Sequence, residues 1–436
     1  MAQGVKIFDV ACRGCVNCIR SCPTEAIRVI DGQVRIIPEL CIDCGECIRS
    51  CGNKALGLDE DDWRLLQSHG ASVVVADPTF YVQFSHYWRP ALVVEALSSW
   101  NIEDLCPYVA RAFDVAAYAT ARIIEGSTED ERPFISTYCP AVVRLIQTRF
   151  PELLGRLVPV ESPLETGVAL WRKETGRTDP VTLLAPCPAK ITMIRSPEGR
   201  GNSNIDHVVS VKSVARDLLA GGPRVRGERE PMANTRWIRW AARRGESRHV
   251  KAFASRELTT VTVSGLRNTL DLLRDLELGR LHGVDFVECR VCDLGCIGGI
   301  GNAESRFLGQ LRTEALNVDW NPSEEERAAI VDLYDAGVWR LPQPLSTRPG
   351  RPLAENLNEA MDRLKKMKEI FAGLPHIDCG ACGRPSCKAM AEDIVRGCGE
   401  TTDCIFKLRE RISTLAADII DLSTFQPQTL RGRGNR

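Results

Sequence analysis

Cys12, Cys15, Cys18 and Cys22, the last followed by Pro23, recur 29 residues on as Cys41, Cys44, Cys47 and Cys51. Each run reads C-x2-C-x2-C-x3-C, the spacing that wraps a pair of [4Fe–4S] cubanes, with the fourth cysteine of each run crossing to the other cluster. Cys12, Cys15, Cys18 and Cys51 would then serve one cluster, and Cys41, Cys44, Cys47 and Cys22 the other. A cubane needs four thiolates converging on a tetrahedral set of irons; one tight loop supplies three and a distant cysteine locks the halves together. A zinc site or a disulfide framework at this spacing would be unusual. The chemistry to expect is electron transfer at iron.

Nineteen cysteines in all gather at 12–51, 139, 187, 289–296 and 379–404, with Cys106 alone. Such clustering argues against scattered core cysteines, and thiols in a chain without an export signal point to metal thiolates kept reduced in the cytosol. Three middle segments set thiolates beside prolines and glycines: Ser136-Thr137-Tyr138-Cys139-Pro140, Ala185-Pro186-Cys187-Pro188-Ala189-Lys190, and Glu288-Cys289-Arg290-Val291-Cys292-Asp293-Leu294-Gly295-Cys296. Any one of these thiols alone reads equally well as a core cysteine; together, at strand ends and glycine-relieved turns, four of them can meet as a buried cluster site.

The elements that must position these residues follow from the pattern. Residues 1–57 form the paired-cluster module, an α+β ferredoxin-like unit in which Asp31-Gly32 joins two short strands. From 70 to 340, short β-rich runs (72–76, 181–185, 259–263, 284–287) alternate with amphipathic helices (91–99, 142–150, 266–278), which predicts an α/β domain with parallel sheets. Residues 341–353 hold four prolines and read as a linker; 354–424 form a small α-helical four-cysteine domain, and 425–436 a tail. A net charge of −1 steers neither nucleic acid nor acidic lipid. The arginine-rich stretch 224–251, with Trp237 and Trp240, reads as a solvated insertion rather than a nucleic-acid patch, because Glu228, Glu230 and Glu246 interrupt it. No apolar run is long enough for a membrane span, and the N-terminus does not resemble a secretory signal.

The order and flanks of the three middle segments resemble the three cysteine motifs of the [FeFe]-hydrogenase catalytic domain, over roughly residues 70–315. The resemblance implies that Cys139, Cys187, Cys292 and Cys296 hold the cubane half of an H-cluster, with Cys296 bridging to a diiron subcluster. It implies that Lys190 donates to a cyanide ligand of that unit. It also exposes departures at the candidate catalytic positions. Tyr138 stands where the family relays protons through a cysteine, and a phenol is a poor relay at neutral pH beside a thiol. Ala185 and Arg290 replace methionines, and Arg244-Gly245-Glu246-Ser247 stands where the family carries a double glycine. Fast hydrogen turnover is not expected. The nearest subset is the sensory type, with paired clusters in front and a four-cysteine module behind.

That last module, Cys379-Gly380-Ala381-Cys382-Gly383-Arg384-Pro385-Ser386-Cys387 with Cys404, resembles a small [4Fe–4S] domain of electron-transfer subunits. The family pattern favours Cys404 as fourth ligand, Cys398 being the other candidate; a zinc ribbon would normally pair two C-x2-C knuckles. Gly380 and Gly383 would turn amides toward the sulfurs. Four clusters use sixteen cysteines and leave Cys106, Cys289 and Cys398 over; Cys106 reads as packing, while Cys289, three residues from Cys292, is near enough to ligate or react, as the minority reading beside a core cysteine. Ile405, Leu408, Ile412, Leu415, Ile419 and Leu422 form a short coiled-coil seam, expected to pack on its own chain ahead of a dimer. Three functions remain: a hydrogenase-like redox protein of sensory type that passes its state to a redox or signalling partner, an electron-transfer subunit without the diiron unit, or an active hydrogenase.

Overall fold

The computed structural model describes residues 4–70, 72–85, 88–221, 232, 234–316, 322–348 and 350–424. Two compact units result. One comprises Met1–Phe8 and Leu40–Pro349, the other Asp9–Glu39 and Gly350–Arg436. The two cysteine runs of the front module therefore fall in different units.

In the larger unit, Val73–Ala76 is a run of branched apolar residues buried on both faces, which is what a strand inside a covered parallel sheet requires. It lies between Glu103–Asp104 and Val181–Ala185, and His207–Ser210 completes a four-stranded parallel sheet. A second parallel sheet has the order Thr260–Ser264, Phe286–Arg290, Phe134–Ile135. The expected parallel sheets are there. The strand at 284–287 in fact starts two residues later and carries Cys289 within it. The Cys106–Gly126 helix packs on Pro163–Thr175, and Gly167 has no room for a Cβ against the Val109 backbone. The 341–348 stretch is fastened to this unit: the Leu341 amide donates to the Pro159 carbonyl, Gln343 to Gly199, and the Arg348 guanidinium to the Cys41 carbonyl. The tryptophans of 224–251 are buried core residues, Trp237 and Trp240; residues 224–231 and 233 lie outside the described residues.

In the smaller unit, Ile27–Ile30 and Gln33–Ile36 form a hairpin whose turn residues Asp31 and Gly32 both have positive φ, as a two-residue mirror-image turn demands. The Leu357–Ala372 helix packs on Cys387–Val395, and Ser386 caps the latter by accepting from the Ala389 amide at 3.1 Å. Ile405–Thr424 is a helix whose seam residues Ile405, Leu408, Ile412, Leu415, Ile419 and Leu422 are all exposed, so the seam is not covered by any of the described residues. The tail at 425–436 lies outside the described residues. No helix among the described residues is long and apolar enough to cross a membrane.

A candidate iron–sulfur centre at the strand ends

All three middle cysteine segments leave the carboxyl end of a parallel strand. Phe134–Ile135 leads to Cys139, Val181–Ala185 to Cys187, and Phe286–Arg290 to Cys292. That end is where α/β sheets open a crevice for ligands. Cys139 and Cys187 are each the residue before a helix that starts with proline, Pro140–Arg149 and Pro188–Arg195; proline fits the first helical position because no intrahelical bond is lost there. Both sulfurs thus sit at helix N-termini, where the field favours a thiolate.

The consequence is convergence. Cys139, Cys187, Cys292 and Cys296 line one cavity, together with Cys44, Asp43, Lys190 and Arg290. Among the described residues, no three His, Cys, Asp or Glu side chains gather closely enough for a single ion. The four sulfurs ring a cavity instead, and a cubane spreads its ligands over four irons. Burial pushes the Cys187 thiol up to about 12 and that of Cys296 to about 11, with Lys190 pulling both down; deprotonating such thiols takes iron. The turn that brings Cys296 in depends on Gly295 at φ +102°, whose Cβ would lie 2.8 Å from the Ala241 carbonyl oxygen.

Beside Cys296 the space is taken up by a buried polar array that residue spacing could not reveal. The Lys190 ammonium pairs with Asp77, both almost wholly buried, and lies 3.9 Å from the centre of the Tyr138 ring. The Tyr138 hydroxyl donates to the same Asp77 carboxylate at 3.3 Å. The Arg290 guanidinium also lies over the ring, at 4.8 Å, and donates to Glu246 at 2.5 Å and to the Ser136 hydroxyl at 3.1 Å. Phe113 and Trp240 close on the ring edge-to-face at 5.7 and 5.2 Å. Burial acts to lower the Lys190 ammonium, but Asp77, Tyr138 and Cys296 together outweigh it and the net shift is upward; burial and Asp77 push the Tyr138 phenol above its ordinary range. Asp77, Lys190, Tyr138 and Arg290 all act electrostatically on Cys296 or are acted on by it.

The second cysteine run lies against this centre. Cys44 lines the same cavity, and Arg49 donates to the Gly298 carbonyl at 2.7 Å, two residues past Cys296. Asp43 is buried with Arg144 and accepts from Thr192 at 3.0 Å, a pairing with no signal in the sequence. Each run ends alike: the amides of Ala26 and Ala55 donate to the sulfurs of Cys22 and Cys51 at 3.2 Å. Cys15 is the exposed member of the first run and Cys12 and Cys22 are half-buried, whereas Cys18 and Cys47 are buried. Cys41 meets the Asp43 amide at 3.4 Å.

In the smaller unit Cys387 and Cys404 share a buried apolar cluster with Leu374 and Met390, and Cys382 packs against it. Cys379 opens the same loop. Cys398 is exposed. Gly380 and Gly383 both have φ +76°, and Arg384 donates to the carbonyls of Cys382 and Cys398 at 2.8 and 2.7 Å. Of the remaining cysteines, Cys106 is buried at a helix start with its thiol pushed up by burial and Asp104. Cys289 is fully buried inside its strand and does not line the cavity of the four.

Residues 71–222 and 224–300, just over half of the chain, match the family model of the iron only hydrogenase large subunit, C-terminal domain. The chain belongs to that family. Around this hydrogenase domain, residues 5–52 match a 4Fe-4S dicluster domain and residues 374–406 a family described as a putative Fe-S cluster. The hydrogenase HydA1 of Chlamydomonas reinhardtii is similar at 16% identity, covering 64% of this chain and 95% of that one, with a TM-score of 0.47. A structure of HydA(deltaEFG), described as revealing stepwise [FeFe]-hydrogenase H-cluster assembly, is similar at 15% identity, with coverage of 64% and 95% and a TM-score of 0.47. No curated protein sequence matches the chain. The chain is thus a hydrogenase-family iron–sulfur protein with a ferredoxin-like front module.

The donor set of the central cavity fits a cubane: four sulfurs, two at helix N-termini, with cations alongside. The surroundings of Cys296 do not fit a diiron unit. The lysine that would donate to cyanide is neutralised by Asp77, and the adjoining volume holds a phenol ring bearing on two cations.

Proposed function

We propose that this protein relays single electrons among four [4Fe–4S] clusters, that its hydrogenase domain takes a cubane without a diiron unit, and that it does not turn over hydrogen. The observation that carries this is the closed array Asp77–Lys190–Tyr138–Arg290–Glu246 beside Cys296. Each charge in it has a buried partner, so removing any member to admit a ligand would leave an uncompensated charge in low dielectric.

A bound cubane supplies one-electron redox chemistry. The chain's own residues set its terms. Cys139, Cys187, Cys292 and Cys296 hold it, and the helix N-termini behind the first two favour its net negative charge. Lys190 and Arg290 add cationic field on the Cys296 side, which favours the reduced cluster; Asp77 and Glu246 limit that effect. Apolar packing around the sulfurs excludes water. In this reading the redox state passes to a partner protein, as in the sensory type.

The test is compositional and spectroscopic. Protein matured with the diiron assembly machinery should contain about sixteen irons per chain, four for each of four cubanes. It should show no infrared bands from metal-bound CO or cyanide. Such bands, or hydrogen-dependent dye reduction at a substantial rate, would overturn the proposal in favour of an active hydrogenase.

A further inference from the structure

The two cysteine runs of the front module have different neighbours. Within the larger unit, the run of Cys41, Cys44 and Cys47 adjoins the central cavity, as described above. Within the smaller unit, the run of Cys12, Cys15 and Cys18 adjoins the C-terminal ligand loop. Arg20, two residues past Cys18, donates to the carbonyl of Cys379 at 3.1 Å. The Val29 amide donates to the Gly383 carbonyl at 2.8 Å. A Cβ on Gly383 would lie 1.9 Å from the Val29 carbonyl oxygen, and one on Gly380 would lie 3.7 Å from Cβ of Val16, between Cys15 and Cys18. Below the loop, Arg28 and Asp393 form an ion pair at 2.6 Å with both side chains about 5% exposed. Arg384, in the loop between Cys382 and Cys387, shares the same carboxylate at 3.3 Å, and the Ser386 hydroxyl donates to Glu25 at 3.2 Å.

This is a built contact, not an accidental one. A buried arginine–carboxylate pair costs free energy in desolvation and is sustained only by good geometry; here two arginines from two segments meet one aspartate. Glycine at 383 is required twice, by its positive φ and by the Val29 backbone against it. The two ligand segments themselves meet through the Arg20–Cys379 hydrogen bond and the Val16–Gly380 contact, which sets the two groups of cysteines side by side.

We infer that the C-terminal cluster exchanges electrons directly with the cluster of the Cys12–Cys15–Cys18 run, its neighbour within the smaller unit. The step moves one electron, oxidising one cubane and reducing its neighbour, with no bond made or broken. The inference rests on the four-cluster reading above.

The experiment is electron paramagnetic resonance of the full chain, reduced anaerobically with dithionite, with iron counted in each sample. The signal of the C-terminal cluster should show magnetic interaction with a neighbour. Cys15→Ser should alter that interaction, and Cys44→Ser should leave it unchanged. Gly383→Val, which pushes the C-terminal loop off the Val29 strand while keeping all sixteen ligands, should weaken or abolish it at full iron content; Asp393→Asn, a milder change at the same contact, should weaken it. Interaction that follows Cys44→Ser, or none at all with iron complete, overturns the inference and leaves the four clusters standing. A wild-type protein about four irons short with no C-terminal signal removes both.

Discussion

Lys190 and Tyr138, which the family resemblance marks as ligand donor and proton-relay position, are in contact with each other: the ammonium nitrogen lies 3.9 Å from the ring centre. A desolvated cation over a ring is worth roughly 2 kcal/mol, and here it is combined with a shared carboxylate, Asp77. The pair is therefore a packing unit.

Removing the ring should be costly and removing only its hydroxyl should not. Tyr138→Ala is expected to lose about 3–5 kcal/mol, as for other large buried side chains. Tyr138→Phe should lose about 1 kcal/mol, the worth of an ordinary hydrogen bond. Anaerobic thermal midpoints at one scan rate will rank them. Tyr138→Cys restores the family's thiol; with no diiron unit to serve, hydrogen turnover should stay at zero, and a gain would contradict the cubane-only reading.

The Lys190–Asp77 pair should behave as one object. Lys190→Met leaves a buried carboxylate without its countercharge and should cost about 3–5 kcal/mol. Lys190→Met with Asp77→Leu should cost well under the sum of the two single changes. Additive losses would mean the two charges are not coupled.

The fourth ligand of the C-terminal cluster is testable by iron count. Cys404 is buried beside Cys387 and Cys398 is exposed. Cys404→Ala should lose about four irons per chain, and Cys398→Ala none. The reverse result would move the ligand to Cys398.

Asp104 gives the fold a pH dependence with a definite sign. Burial pushes its carboxyl from 3.8 up to about 7, opposed by the hydrogen bonds from Tyr81 and the Cys106 amide. Between those values the folded state holds a proton that the unfolded chain has lost, so stability falls as pH rises through the window. Asp104→Asn, which removes the titrating group and keeps one acceptor oxygen for its two donors, should flatten the thermal midpoint between about pH 5.5 and about pH 7. An unchanged slope would show that other groups dominate.

The seam of the Ile405–Thr424 helix carries isoleucine at each a position (Ile405, Ile412, Ile419) and leucine at each d position (Leu408, Leu415, Leu422), and all six are exposed. That combination favours two parallel helices, and the prediction is that a second copy of this chain supplies the matching one. Sedimentation of the full chain should show a concentration-dependent dimer, and Ile412→Asp with Leu415→Asp should make it monomeric with unchanged iron. A monomer at all concentrations would leave the seam to another partner.

Chemistry that depends on short-range spacing was legible in the chain itself. C-x2-C-x2-C-x3-C confines three sulfurs within one loop whatever surrounds it, so the front clusters and the Cys379–Cys387 loop could be read directly. The run Val73–Ala76 and the turn Asp31-Gly32 announced themselves because burial on both faces and positive φ are local demands. The strands at Phe134–Ile135 and His207–Ser210 were missed, since a short parallel strand is defined by its neighbours in the sheet.

What tertiary structure alone decided is the company the residues keep. Nothing in the spacing of Asp77, Glu246 and Arg290 says that they surround one ring, because they come from three separate strand and helix ends brought together by two parallel sheets. The same holds for Arg28 with Asp393, 365 residues apart. Sequence determines which groups can bind iron, as ligand reach is a property of a few bonds. The fold determines whether a second metal unit has room, as volume and charge compensation depend on every element that closes around the site.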